Sequence, residues 1–228
     1  MRLWATMTVF CALAGLSQAW AAETSKFPPL AGESDPMAQK INKALAGLDK
    51  KFAAEAAKCR KSGRDNEANR TVRVMLKGAH YYSLVANDEW SCGGAHPDTD
   101  SLALTYDLAT GRPVDWVKML PGLALAGSTD STFDGTVIGV VASQKLTDLY
   151  MAEDKKRPDY DEDCTDALTG GDLTFQLWPT AKEGGLALQP ANLPHVVASC
   201  ADDVVIPAAR LSEFGMPAAL KEDLAAAH

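Results

Sequence analysis

Residues Ser91–Trp116 read SCGGAHPDTDSLALTYDLATGRPVDW. The run Gly93-Gly94-Ala95-His96-Pro97 combines the conformational freedom of glycine with the fixed φ of proline, which predicts a tight hairpin tip with at least one φ > 0 position. Gly94 is the position expected to tolerate a β-branched residue badly. Beyond the tip, Leu102, Leu104 and Tyr106 alternate with smaller or polar neighbours, the period of a strand with one buried face. Ala109-Thr110-Gly111 is a turn signal. Asp115–Leu120, stopped by Pro121-Gly122, suits a short helix. On the N-terminal side of the tip, His80–Trp90 reads as a second strand and Thr71–Lys77, with Val72, Val74 and Leu76 alternating, as another.

Working outward, Pro36 sits where a helix tolerates proline, with Ser34 or Asp35 as its cap. Met37, Ile41, Leu45, Leu48, Phe52 and Ala56 follow at steps of three and four, giving one apolar stripe. That helix is expected to end near Cys59, before the polar run Lys61–Asn69. Toward the C-terminus, Val137–Val141 is a buried strand or the start of a helix, and Gln144–Asp154 is helical. Asp159–Asp166 reads as an acidic loop. Leu173–Trp178 and Leu186–Leu188 pair around Lys182-Glu183-Gly184-Gly185. His195–Ser199 and Val204–Ile206 are expected to form a further strand pair, and Pro217–His228 a terminal helix. Strands and helices are segregated, so the expected class is α+β: an antiparallel sheet packed against a long N-terminal helix and shorter helices.

The first residues predict export. Arg2 is followed by the apolar run Leu3–Leu16 and by Ser17-Gln18-Ala19-Trp20-Ala21, a small-x-small cleavage pattern. The expected layout is a signal peptide over 1–22, a flexible leader over 23–34 and one α+β domain over 35–228, with no transmembrane segment in the mature chain. The apolar run is too short to span a bilayer. Removing Cys11 with the signal leaves Cys59, Cys92, Cys164 and Cys200, which in an oxidising compartment read as two disulfides with three conceivable connectivities. The expected pairs are Cys59–Cys92, tying the long helix to the hairpin, and Cys164–Cys200, tying the acidic run to a C-terminal strand. The predicted location is periplasmic or secreted.

The formal net charge of −8 argues against nucleic acid and anionic membrane surfaces, and toward a cationic partner. Nucleophile-elbow, P-loop and dinucleotide-binding patterns are all missing, and no two of His80, His96, His195 and His228 stand three or four residues apart. No cofactor or metal is expected. Asp159–Asp163 resembles half a calcium loop, but the sixth and twelfth positions hold Cys164 and Gly170 in place of the required Gly and Glu. Trp90, Trp116 and Trp178 with Tyr81, Tyr82 and Tyr106 either form a glycan-stacking surface or fill the core. His96, beside two glycines and ahead of Asp98, is the most suggestive single residue.

Over Ser91–Leu120 the chain resembles the RsiV-like domain, a domain of unknown function in the extracellular half of lysozyme-sensing anti-sigma factors and beside some cell-wall polysaccharide deacetylase domains. Gly93-Gly94-Ala95-His96, Asp107-Leu108, Thr110-Gly111 and Val117–Leu120 match that family's hairpin, turn and short-helix pattern. Leu173–Leu188 and Val204–Leu211 echo its closing strands. The anti-sigma factors carry a membrane helix and the deacetylases a metal-binding domain, neither of which is read here. The resemblance therefore implies a stand-alone, non-enzymatic binding module of the cell envelope, recognising a glycan or a protein such as a lysozyme-like partner. Its candidate ligand-binding residues are Trp90, Gly93, Gly94, His96 and Asp98. The competing expectation is an envelope hydrolase centred on His96 and Asp98.

Overall fold

The computed structural model describes residues 25–32, 34–63, 66–94, 96–130, 137–169 and 171–227. The expected signal peptide over 1–22 and its cleavage site lie outside them. Helix α1 (Pro36–Ser62) starts as its sequence requires: the Asp35 carboxylate accepts the Met37 N–H at 2.9 Å, and Pro36 occupies the first turn. The helix runs three residues past Cys59. Its buried stripe is Ala38, Ile41, Leu45, Leu48, Ala56 and Cys59, with Phe52 half-buried.

Strands β1 (Glu67–Lys77), β2 (Tyr81–Ser91), β3 (Asp98–Asp107) and β4 (Arg112–Pro113) form one antiparallel sheet in chain order. Residues 67–69, expected in a polar run, belong to β1. Ala68 faces Trp90 across the ladder and is 3% exposed, packed with Phe52. One face of this sheet carries Val72, Leu84, Ala86, Leu104 and Tyr106, and α1 covers it with Ile41, Leu45 and Leu48. Each such aliphatic side chain contributes roughly 1.5–3 kcal/mol by leaving water.

The described part of the expected leader packs against α1 rather than standing off it. Phe27 is 5% exposed. Its N–H bonds Asp49, both backbone groups of Leu30 bond Asn42, and Tyr82 donates its hydroxyl to the Pro28 carbonyl. Burial of one aromatic ring and four hydrogen bonds offset the entropy of ordering this segment.

Strands β5 (Ala126–Asp130), β6 (Val137–Ala142), β7 (Thr174–Thr180), β8 (Gly185–Ala191) and β9 (Val204–Pro207) make a second antiparallel sheet, again in chain order. Its outer face presents Phe175, Leu186, Leu188 and Ile206 to helix α3 (Gln144–Asp154), whose Tyr150 ring lies 5.2 Å from that of Phe175. Helix α2 (Trp116–Met119) and the 3₁₀ turn Pro121–Leu123 close the same core. The inner face packs on the open face of the first sheet through Trp178, Ala187 and Val205 against Val85 and Ala103. Strand β7 touches β1, β2 and β3 in turn. Gln176 bonds the outer edge of β3 and the Ala181 N–H bonds the Met75 carbonyl on the edge of β1, so β7 crosses the first sheet and is fastened at both rims. The layers are α1, first sheet, second sheet, outer helices. This is the expected α+β class, with two sheets in place of one.

Two stretches differ from expectation. Asp159–Asp166 is not a loop throughout: Glu162–Leu168 is helix α4, capped by Asp161, whose carboxylate accepts the Asp163 N–H at 2.9 Å. Acidic side chains in a first turn favour a helix because its N-terminus is electropositive. His195–Cys200 is a 3₁₀ helix, not a strand. Val196 is 87% exposed while Cys200 is buried, so the run has no alternating face to lay on a core. Both disulfides are present as Cys59–Cys92 and Cys164–Cys200, with Cα atoms 5.0 and 5.2 Å apart. The first fastens α1 to the β2–β3 hairpin and the second fastens α4 to the 3₁₀ helix.

The chain closes with α5 (Ala208–Leu211) and α6 (Ala218–Ala226). From α6, Asp223 is 3% exposed and reaches the turn between β1 and β2. Its carboxylate accepts the N–H groups of Ala79, His80 and Tyr81 at 2.9, 2.9 and 2.8 Å and lies 3.0 Å from His80 Nδ1. A Cβ on Gly78 would stand 2.1 Å from the Asp223 carboxylate, so glycine is required there.

Candidate functional site

The end of β3 that leaves the hairpin has a bare edge. Strand β4 pairs only with Tyr106 and Asp107, and among the described residues no strand pairs with 98–105 on that side. Gln176 stands in for one. Its side-chain oxygen accepts the Ala103 N–H at 2.7 Å and its amide donates to the Ser101 carbonyl at 2.5 Å, the pair of bonds a neighbouring strand would exchange.

Beside this edge lies a cleft of about 680 Å³ between α1, the first sheet and the second sheet. Phe52 and Trp90 form its aromatic wall, with ring centroids 5.2 Å apart and planes tilted by 53°. Asp98 and Asp100 on β3 stand at its mouth, and Gln189 and Asn192 line the far side. The Gln189 amide bonds Asp203 at 2.9 Å and the Asn192 amide reaches the Thr174 hydroxyl at 3.3 Å, which fixes the orientation of both.

The wall is braced by a buried cation. Arg70, its side chain 5% exposed, forms a bidentate pair with Asp88, Nε and Nη2 each 2.6 Å from a carboxylate oxygen. Its guanidinium lies 4.1 Å from the Phe52 centroid and 5.3 Å from that of Phe27, with Asp49 at 3.6 Å. A charge removed from water needs such partners, and cation–π contact with two rings holds Phe52 in place. Arg70 and Asp88 face each other across the β1–β2 ladder. Without the register of β1 against β2, neither residue stands out among the other charged side chains of these strands.

Of the five expected ligand-binding residues, Trp90 and Asp98 line the cleft. Gly93, Gly94 and His96 do not; they sit on the exposed hairpin tip. Asp98 accepts the Thr99 N–H at 3.0 Å. The residue with φ > 0 is Gly93 (φ +87°), not Gly94, so the conformational argument transfers by one position. Gly93→Val should lower stability by about 1–2 kcal/mol through left-handed backbone strain, and Gly94→Val by less. Thermal denaturation of the two variants side by side decides the order. The aromatic surface is not formed: Trp116, Trp178, Tyr81, Tyr82 and Tyr106 are each at most 7% exposed, and Trp90 alone of the six lines the cleft. Gln176, Gln189 and Asn192 were missed because they come from the second sheet, some 75 positions from Ser101 in the case of Gln176.

Among the described residues no three His, Cys, Asp or Glu side chains gather as metal ligands, and no described helix is long and apolar enough to cross a membrane. No family model matches the sequence, and no curated protein sequence matches it. Solved structures do. The chain is similar to a DUF3298-family protein from Pseudomonas aeruginosa PAO1, at 18% identity and a TM-score of 0.52, covering 88% of this chain and 93% of that one. It is also similar to a member of the DUF3298 family from Bacteroides fragilis NCTC 9343, at 15% identity and a TM-score of 0.46, covering 86% and 75%. The fold is therefore that of a DUF3298 protein, a domain of unknown function.

Proposed function

We propose that this chain is an exported, non-enzymatic binding module of the cell envelope and that its cleft takes a glycan. The observation that carries the reading is the composition of the cleft: an aromatic wall of Phe52 and Trp90, four carboxylates (Glu55, Asp88, Asp98 and Asp100) and three side-chain amides (Gln176, Gln189 and Asn192) around about 680 Å³. Sugar rings present apolar faces that pack on aromatic surface and hydroxyls that seek planar amides and carboxylates. The volume suits a short oligosaccharide. Two disulfides fit an oxidising compartment, and the resemblance of Ser91–Leu120 to the RsiV-like domain supports the same class of role.

The test is co-sedimentation with peptidoglycan together with titration of soluble envelope oligosaccharides, read by tryptophan fluorescence. Trp90→Ala is expected to weaken binding by about tenfold or more, equivalent to the ~1.4 kcal/mol scale of one aromatic contact. His96→Ala, at a tip outside the cleft, should leave it unchanged. Capture of a lysozyme-like protein with no affinity for glycan would replace the ligand. Turnover of an envelope substrate that disappears in His96→Ala would replace the whole reading with that of a hydrolase.

A further inference from the structure

Helix α1 also borders a second, larger cavity, reached along the row Lys40, Lys43, Ala44, Gly47 and Lys51, whose charge runs against that of the chain. An open groove of about 1110 Å³ runs between α1, the β3–β4 turn and α2. Lys40, Lys43, Lys51, Arg112 and Lys118 line it against two carboxylates, Asp107 and Asp115, a local excess of three positive charges on a protein of net charge −8. Part of that excess is tied up. Lys118 Nζ lies 2.6 Å from Asp115, Lys40 donates to the Thr110 carbonyl at 2.9 Å, and Asp107 accepts the Thr110 N–H. Lys43 and Arg112 are exposed and make no ion pair among the described residues. They face the cavity from opposite walls.

Beneath the cations the floor is apolar, built from Leu48, Tyr106, Val114 and Met119. Burial pushes the Tyr106 phenol up to about 12, so it remains neutral. The α1 wall is bare. Lys40, Ala44, Gly47 and Lys51 fall at steps of four, three and four, one row of the helix surface. Gly47 lies in the helix interior, where glycine costs about 1 kcal/mol relative to alanine. Its φ is ordinary, and a Cβ there would meet nothing within 4 Å. The backbone does not need glycine at this point; its smallness leaves the groove open.

Cations at the rim, an apolar floor and a bare helix wall are the complement of an amphiphile with an anionic head. We propose that this groove binds a single anionic phospholipid, its phosphate between Lys43 and Arg112 and the first part of its acyl chains on the floor of Leu48, Val114 and Met119. A simple anion would use the rim alone, and an acidic peptide would leave the apolar floor without purpose. Leu48 and Lys51 of α1 border both this groove and the glycan cleft, but Lys43 and Arg112, which would hold the phosphate, line the groove and not the cleft.

The experiment is isothermal titration of the full chain at low salt with four soluble probes: dihexanoyl phosphatidylglycerol, dihexanoyl phosphatidylcholine, inorganic phosphate and a short polyglutamate peptide. Phosphatidylglycerol should bind at least about tenfold more tightly than the other three, and more weakly as salt rises. Lys43→Glu combined with Arg112→Glu should reduce that affinity at least about tenfold. Gly47→Leu fills the groove while improving helix propensity, so it should reduce binding without lowering the melting temperature. The proposal is overturned if phosphatidylglycerol does not bind. Equal affinity for phosphatidylcholine or for free phosphate overturns it, because charge or floor would then be irrelevant. Preference for polyglutamate assigns the groove to an acidic protein segment, and unchanged binding by Gly47→Leu places the lipid elsewhere.

Discussion

Asp223→Ala is expected to lower the unfolding free energy by about 4 kcal/mol. The carboxylate is buried and accepts three consecutive backbone N–H groups, with the His80 ring as a fourth neighbour. Alanine would leave these donors inside the protein with no acceptor, and each such orphan costs roughly 1–3 kcal/mol. Part of the loss is recovered where water reaches the half-exposed side of His80. The midpoint of thermal unfolding should fall by about 8–16 °C for a chain of this size. Gly78→Ala attacks the same joint from the other side, since its Cβ would overlap the carboxylate at 2.1 Å. The two substitutions should be strongly non-additive, as both undo one contact. Calorimetry on the single and double variants is the check. A loss below about 1 kcal/mol for Asp223→Ala would mean that α6 is not held to the β1–β2 turn as described.

Removing the Cys164–Cys200 bridge by serine substitution should cost about 3–4 kcal/mol in the chain-entropy view, with a similar figure for Cys59–Cys92, because the bridges span 36 and 33 residues. The effects are expected to add, since the two bridges fasten separate parts of the molecule. Cys164 and Cys200 join a seven-residue helix and a 3₁₀ turn that share little core of their own, so proteolysis near 159–170 should rise first when that pair is lost. Urea denaturation under oxidising and reducing conditions measures both. Equal stability in the two conditions would contradict the expectation.

Local chemistry made much of the fold legible. Asp35-Pro36 announced the start of α1, three alternating stretches announced β1, β2 and β3, and Gln144–Asp154 read as the helix that became α3. The reading failed where tertiary contacts decide. Glu67–Asn69 became strand because Ala68 packs with Phe52 and Trp90. His195–Ser199 became a 3₁₀ turn because its apolar residues have nothing to cover. The split into two sheets was hidden, because the crossing of β7 rests on Gln176 and Ala181 meeting edges far away in sequence. The cleft was legible in part for the same reason: Trp90 and Asp98 flank the hairpin that the sequence singles out, whereas its amides come from the second sheet. Whole-chain charge concealed the basic groove, since an average of −8 says nothing about how lysines are distributed along one row of a helix.

Each disulfide joins a cysteine to the next one along the chain, and neither loop encloses the other. In a polypeptide delivered N-terminus first into oxidising surroundings, Cys59 meets Cys92 before Cys164 has arrived, and Cys164 then finds only Cys200. The order of synthesis and the order of pairing coincide. Of the three conceivable connectivities, the native one is the sole arrangement in which no thiol has to wait while a later partner passes an earlier one. On such a route, oxidation in sequence would reach the native pairs without a round of bond shuffling.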